Sequence, residues 1–455
     1  DDKAKVAAIG QAGENLARIA GIISEGRLGR AAARGGMGAV MGSKNIKAVV
    51  VRGTTKPPVA DEARLRHGTQ EFLRKLNKIK DGSLGPMPKI SASIPHSQEI
   101  GSLPVRNWTE SRFDTFVENM STFEEGKRLY CHSCPIGCLE SFFVPGGDRR
   151  QMTGHHLIPF GAECFIADLE TLQTAYDLCN KYGMDSISAG ACVAFAIECF
   201  ERGAINSKDT GGLQLSWGNS QAVLDILRQM GEGRGLGRLL SQGVKRAAEE
   251  IGGQSHQYAM HVKGLEMPVW EPRAYNSLWI GLATANMGPN HMEARSHAVE
   301  RESKAGAPSF GFDGTDVGYP RGTVSRLGFE GKPMMVKKMQ DLTSIINAVV
   351  ICDFAFFQYG LKLSQSLDWL NAVTGWDMDL QEYWQAGERI FNLKRRLNIR
   401  HGLSAKDDML PDRFFCHRPG FAGREGIPTS LPDILQEYYA VRGWNKEGVP
   451  QGGTD

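Results

Sequence analysis

Residues 131–138 read Cys131-His-Ser-Cys134-Pro-Ile-Gly-Cys138, three thiols separated by two and then three residues. Thiolates are soft ligands that suit iron–sulfur clusters or zinc. A cubane cluster needs one ligand per iron, and a short irregular loop can supply three corners. Pro135 and Gly137 favour such a wrapped loop over a regular helix. The fourth ligand must come from elsewhere in the chain. A structural zinc site, or a chance gathering of buried cysteines, is the competing reading. Zinc modules usually bring two ligand pairs, no second pair lies nearby, and His132 would crowd a tetrahedron beside Cys131. Radical enzymes that cleave S-adenosylmethionine use the reverse order of spacings. The spacing therefore favours an iron–sulfur centre.

The rest of the composition is that of an ordinary globular protein. At 455 residues the chain has room for about two to four domains. A hydrophobic fraction of 41%, a charged fraction of 23% and a net charge of +2 give no argument for nucleic-acid or acidic partners. No apolar run approaches the ~18–20 residues of a membrane span, since Asp353 interrupts residues 345–357. The opening residues carry no signal-peptide pattern. Nine cysteines, an odd count in a long chain, argue against a disulfide framework and for a reducing cytoplasm. Cys192 and Cys199 sit in an apolar helical stretch as buried small hydrophobes, and Cys179 and Cys416 are given the same reading.

Along the chain, residues 5–10 (KVAAIG) read as a buried strand and 46–52 (IKAVVVR) as another, with the glycine-rich stretch 29–42 between them. One strand pair is not a stable sheet, which suggests the tail of a β-rich domain whose earlier part is absent. Helical periodicity follows at 62–79, 169–182, 188–202, 220–251, 333–357 and 380–397. Residues 81–105 and 262–331 read as irregular. The expected class is α+β: a β-rich remnant over 1–54, a helical domain with the cysteines over 55–260, and a second helical domain over 261–455.

Several segments together resemble the aldehyde:ferredoxin oxidoreductase family of tungsten enzymes, over essentially the whole chain. They are Ile9-Gly-Gln-Ala-Gly-Glu-Asn-Leu16, the stretch from Arg30 to Ala48, Leu103-Pro-Val-Arg-Asn-Trp108, Lys263-Gly-Leu-Glu-Met-Pro268 with Glu271-Pro-Arg273, Gly387-Glu-Arg-Ile-Phe-Asn-Leu393 and Lys406-Asp-Asp-Met-Leu-Pro411. The resemblance implies a tungsten (or molybdenum) ion held by two pterin dithiolenes, with Mg bridging the pterin phosphates and a [4Fe-4S] cluster beside it. It implies a β domain under the pterins and helical domains above. Family members bind the pterins through paired motifs, Asp-x-x-Gly-x-Asp and Asp-x-x-Gly-Leu-Cys. The matching segments are Asn180-Lys-Tyr-Gly-Met-Asp185 and Asn347-Ala-Val-Val-Ile-Cys352. Asn replaces the first Asp in each, and Val350 stands at the second glycine. Because valine takes a positive φ only at a cost, the second loop is expected to differ in backbone or packing. Cys352 is the fourth cluster ligand in this reading, beside Cys131, Cys134 and Cys138.

Other cofactor contacts follow from residue chemistry. Gly35, Gly36, Gly38 and Gly42 would let backbone amides approach an anion, with Arg34 and Lys44 supplying charge for phosphates. A simple tight turn is the alternative. Lys263 joins the cofactor-binding set through its motif. His291, in Asn290-His-Met-Glu-Ala294, resembles the family's active-site histidine and would exchange a proton with the substrate oxygen. His155 stands where aldehyde-oxidising relatives have a glutamate and benzoyl-coenzyme A reductases a metal-binding cysteine. It would act as base or ligand, with Glu163 as a replacement carboxylate. A structural role for the His155-His156 pair is the alternative.

The expected activity is oxidation of an aldehyde to a carboxylic acid, with electrons leaving through the cluster to ferredoxin or another iron–sulfur carrier. The rivals are a low-potential reductase of an acyl-coenzyme A or aromatic substrate, and a zinc-stabilised helical scaffold without catalysis. Members of the family often form homodimers, and the cysteine usage is that of a cytoplasmic enzyme.

Overall fold

Four short strands open the chain and pair antiparallel in the order Arg30–Ala32, Ile22–Ser24, Lys5–Ile9, Ala48–Val51. The computed structural model describes every residue except 1–3, 26–28, 81–92, 122–124, 138, 143–149, 153–156, 301–310, 321, 419, 422 and 453–455. The first strand is not buried as expected: only Ile9 is, and Val6, Val49, Val50 and Val51 face solvent. Two of the four strands went unread in the sequence because each spans three residues, too few for a period-2 pattern to emerge.

This segment is fastened to the helices behind it by backbone hydrogen bonds. Gly21 N–H donates to Gly183 O at 2.8 Å, and Asp185 N–H donates to Ile19 O at 2.8 Å. The approach is close. A β-carbon on Gly10 would lie 2.1 Å from Tyr182 O, so backbone meets backbone only because glycine stands there. The helix Met37–Ser43 is held likewise: β-carbons on Gly38 and Gly42 would collide with Gly21 O and Gly13 O at 2.5 and 2.0 Å. Those two glycines therefore serve internal packing rather than an anion.

The helical part forms where periodicity places it, with boundaries set by glycine and caps. Leu169–Tyr182 is capped by the Asp168 carboxylate and stopped by Gly183 in the left-handed region (φ 72). Ser186–Glu201 follows, with Asp185 as its cap. The single helix expected over 220–251 is three, Ser220–Glu232, Gly235–Leu240 and Val244–Ile251, broken at Gly233 (φ 70) and Gly243 (φ 88). Likewise 333–357 divides into Lys332–Ala348 and Asp353–Phe357. The irregular region 262–331 contains a buried helix, Ser277–Thr284, whose all-apolar face hides a helical period.

Two hydrophobic cores organise the packing. The larger gathers helices of 169–251 with Trp270, Trp279, Phe414 and Tyr438. The smaller joins the helix Glu62–Lys80 to Lys332–Ala348 and Leu363–Thr374 through Phe72, Leu76, Met335 and Leu367, and Cys134 packs against it. Each core draws on more than one of the sequence segments delimited above. No helix among the described residues is long and apolar enough to cross a membrane.

Candidate functional site

The cysteine loop connects two strands of a small antiparallel sheet, Glu125–Leu129 and Leu139–Phe142, so its ends are fixed by strand pairing at Leu129 and Leu139. Ser133 and Gly137 take left-handed φ values of 56° and 60°, which curl the loop. Cys134 Sγ accepts the Ile136 N–H at 3.4 Å, and His132 points to solvent while its N–H reaches Glu25 Oε1 at 3.2 Å. Cys138 lies outside the described residues. Cys352 is exposed at the start of Asp353–Phe357. Burial pushes the Cys131 thiol pKa up, Arg30 opposes this, and the nearby Cys134, Glu25 and Cys352 add to it. Cys352 is thus an electrostatic neighbour of Cys131 although 221 positions separate them in sequence (352 − 131). Among the described residues no three His, Cys, Asp or Glu side chains gather closely enough to hold a single metal ion. Of the other thiols, Cys179, Cys192 and Cys199 are buried as expected, whereas Cys416 is exposed at the end of a short 3-10 helix.

The two matching motifs share one backbone. Asn180 and Asn347 each lie in the last turn of a helix. Three residues on, Gly183 (φ 72) and Val350 (φ 57) both turn left-handed, and Asp185 and Cys352 each begin the next helix. Of the two differences expected at Val350, backbone or packing, the backbone one is absent and the packing one is present. Its side chain is 88% exposed, so no neighbouring atom opposes the conformation and only intrinsic strain remains.

Beside the first motif lie two cavities that share Ala33, Asp185 and Met287. The smaller, of about 380 Å³, is lined by Arg30, Arg34, Asn180, Asp185, Asn290 and Met292 among others. The larger, of about 750 Å³, takes in Gly35, Gly36 and the cations Arg18, Lys245 and Arg246. Arg34 Nη2 donates to Glu266 O at 2.5 Å, and its Nη1 stands 3.9 Å from Asp185 Oδ2. Asp185 is itself occupied as a cap, accepting from Ile187 N–H at 3.1 Å and Ser188 Oγ–H at 2.8 Å. Nε and Nη2 of Arg30, and Nε and Nη1 of Arg34, are buried without a hydrogen-bond partner. Buried guanidinium N–H groups are costly to leave unpaired, so this donor set fits an anionic, phosphate-bearing group. Gly35 is the one glycine of its stretch that faces open space, its nearest neighbour being the Met287 side chain at 3.8 Å.

Two expected cofactor contacts present no uncommitted charge to these cavities. Lys44 is exposed at the end of Met37–Ser43 and lines neither cavity. Lys263 lines the larger cavity, but its ammonium is committed to Asp408 at 2.7 Å and to Ala283 O, in a nearly dry ion pair. Arg30, by contrast, was overlooked in the sequence. Only spatial proximity of its side chain to Cys131 and the cavity distinguishes it from other surface-strand arginines.

His291 begins the turn His291–Ala294, capped by Asn290, whose Oδ1 accepts the Met292 N–H at 3.0 Å. It is 7% exposed, and its neighbours Asn290 and Met292 line the smaller cavity. Trp270 lies 5.8 Å from its ring and 4.1 Å from that of His297, closing an aromatic wall against water. His155 lies outside the described residues.

Glu163 is fully buried, and neither carboxylate oxygen has a hydrogen-bond partner. Burial raises its pKa well above the ordinary carboxylate range, with Arg34 pulling the other way. Its backbone is held by an unusual element. Arg106, Asn107 and Trp108 take consecutive left-handed φ values of 45°, 49° and 69°, and the first two donate N–H bonds to Ala162 O and Glu163 O at 3.1 and 3.2 Å. Asn107 also donates from Nδ2 to Glu198 Oε2 at 2.7 Å and to Tyr258 O at 2.9 Å.

A mostly helical α+β chain with a thiol-bearing loop beside a cation-lined cavity has clear relatives. Residues 1–53 match the family description "Aldehyde ferredoxin oxidoreductase, N-terminal domain", and residues 58–454 match its "domains 2 & 3". The tungsten-containing aldehyde ferredoxin oxidoreductase of Pyrococcus horikoshii is 34% identical, over 99% of this chain and 73% of its own length. The protein of the same description from Pyrococcus furiosus is 33% identical, over 98% and 72%. Among solved structures, the active site complex BamBC of benzoyl coenzyme A reductase with 1,5-dienoyl-CoA matches with a TM-score of 0.77 and 25% identity, over 98% of this chain and 72% of that one. The chain belongs to the aldehyde ferredoxin oxidoreductase family and is an oxidoreductase. The reading as a non-catalytic scaffold gives way to these likenesses.

Proposed function

We propose that this chain carries a tungsten (or molybdenum) bis-pterin cofactor and a [4Fe-4S] cluster and oxidises an aldehyde to the carboxylic acid, with ferredoxin or a similar iron–sulfur protein as acceptor in the cytoplasm. The observation that carries the reading is the set of partnerless guanidinium N–H groups of Arg30 and Arg34 in a cavity adjoining Cys131. Arg30 and Arg34 would hold the pterin phosphates, with or without a bridging Mg ion, and Gly35 would admit them to backbone contact. Asn180 and Asp185 would frame one pterin and Asn347 the other. Cys131, Cys134, Cys138 and Cys352 would ligate the cluster. When bound, the metal-pterin group accepts an electron pair from the substrate and the cluster passes the electrons on singly.

The chain's own residues position the substrate and its protons. The imidazole of His291, shielded by Trp270, would hold a proton at the substrate oxygen and release it as the charge there changes. Glu163, neutral through burial, would keep a second proton close to Arg34. His155 would serve as base or ligand where relatives have a carboxylate. The likeness to the benzoyl coenzyme A reductase complex favours a second reading, reduction of an acyl-coenzyme A or aromatic substrate in the same site.

Anaerobic assay of the purified holoenzyme separates the two. Aldehyde-dependent reduction of a viologen or ferredoxin, lost in His291→Ala with cofactors retained, is the expected result. No turnover of any aldehyde, together with reduction of benzoyl-coenzyme A by a low-potential donor, would establish the second reading instead.

A further inference from the structure

Apart from the cysteine loop, a cavity of about 740 Å³, with Cys416 in its lining, opens between the end of helix Ser186–Glu201, the turn Ser255–Gln257 and residues 409–418. It shares no lining residue with the two cavities described above. Its charge is unbalanced. Arg273, Arg413 and Arg418 lie close enough to repel one another, and burial together with the other two guanidiniums depresses the Arg418 pKa. Arg273 is neutralised by Glu271, with Nε and Nη2 each donating at 2.8 Å. Arg413 is neutralised by Glu198 through bonds of 2.9 and 2.8 Å. Arg418 makes no ion pair of its own among the described residues, the paired Glu198 acting on it only at a distance, and its hydrogen bond to Thr109 O is long at 3.4 Å.

Arg202, at the end of its helix, adds a second cation that makes no ion pair among the described residues, against the exposed carboxylate of Asp412. His261 contributes a buried Nδ1 without a partner, and burial holds its imidazole neutral down to about 4, so it offers a hydrogen bond rather than charge. Met409, Leu410 and Pro411 add apolar groups to the lining. The volume exceeds that of a bare anion and falls within the range of small-molecule sites, ~300–1,000 Å³.

We propose that this cavity is a second ligand site, taking a small organic anion whose phosphate or carboxylate meets Arg418 and Arg202 and whose apolar body lies along 409–411. The inference does not depend on the cofactor reading. The test is calorimetric titration of the full-length holoenzyme, at constant ionic strength, with phenyl phosphate and with benzoate; the tighter binder identifies which anionic head the site prefers. Saturable binding of at least one probe, weakened tenfold or more in Arg418→Ala and measurably in the exposed Arg202→Ala, is expected. Arg418→Lys should recover part of the affinity, since charge but not the planar fork is restored. Absence of saturable binding by both probes, or unchanged affinity in Arg202→Ala together with a folded Arg418→Ala, would overturn the proposal.

Discussion

Arg295 forks onto Asp353, Nε donating to Oδ1 at 2.9 Å while Nη2 meets Oδ2. Arg295 ends the turn that starts at His291, and Asp353 immediately follows Cys352. One ion pair therefore ties the proposed proton carrier to the proposed fourth cluster ligand. Both partners are largely buried, at 10% and 16% side-chain exposure. Removing the charge of one takes from the other its forked partner where little water can replace it. Asp353→Asn should cost about 2–4 kcal/mol in denaturant unfolding. A loss below about 0.5 kcal/mol would mean the pair is no more than a surface contact.

Gly183 and Val350 hold equivalent left-handed positions but in opposite surroundings. A β-carbon on Gly183 would sit 2.6 Å from Gly10 N, whereas the Val350 side chain projects into solvent. Gly183→Ala should therefore destabilise by about 2 kcal/mol or more. Val350→Gly relieves a strained β-branched residue at about the expense of glycine's extra chain entropy, so it should be neutral or stabilising by up to about 1 kcal/mol. Comparing the two melting shifts tests the shared backbone. Equal losses in both variants would refute it.

Glu163 supplies a pH test. Its folded pKa is raised, so above the ordinary value of 4.5 the folded state retains a proton that the unfolded chain has released. The contribution of this group to stability is complete below 4.5 and declines as pH rises through the folded pKa. Glu163→Gln cannot lose that proton. The variant should gain stability relative to the parent as pH climbs from 4.5 toward neutrality, and aldehyde turnover should fall. Parallel stability curves would show that the carboxyl is ionised and paired.

His261 behaves in the opposite sense. Its folded pKa is held near 4 by burial and Lys245, below the ordinary 6.5. Between those values the unfolded chain binds a proton that the folded one refuses, so stability drops as pH falls from 6.5 toward 4. His261→Gln should flatten this part of the curve in acid-unfolding measurements. An unchanged slope would place the imidazole in water.

Much of the fold was readable because helices carry their own stop signals. Leu169–Tyr182 is bounded in the sequence by Asp168 and Gly183, residue types that suit an N-cap and a helix stop, and both serve so. Strands of three residues carry no such signal, and 220–251 looked continuous because apolar spacing persists across Gly233 and Gly243. At the site, the cysteine spacing was legible because local chemistry fixes it, and the twin motifs only through the family resemblance. Arg30 was not, because its nearness to Cys131, about a hundred positions away, arises from the tertiary placement of two separate sheets, which no local pattern announces. The commitment of Lys263 to Asp408 was hidden for the same reason: its partner lies 145 positions away (408 − 263). At Val350 the expected difference from the first motif is realised in packing and not in backbone, the exposed side chain leaving only the intrinsic cost of the left-handed conformation.

The central proposal is that Cys131, Cys134, Cys138 and Cys352 would hold a cluster beside a metal-pterin group whose phosphates Arg30 and Arg34 would bind. Metal and pterin analysis of anaerobically purified protein tests it most directly, run beside Cys352→Ser and the double variant Arg30→Ala, Arg34→Ala. Roughly four irons per chain with tungsten or molybdenum and pterin is the predicted content. Cys352→Ser should lower iron alone, and the arginine pair should lower pterin. Zinc in place of iron, with no tungsten, molybdenum or pterin, would contradict the account.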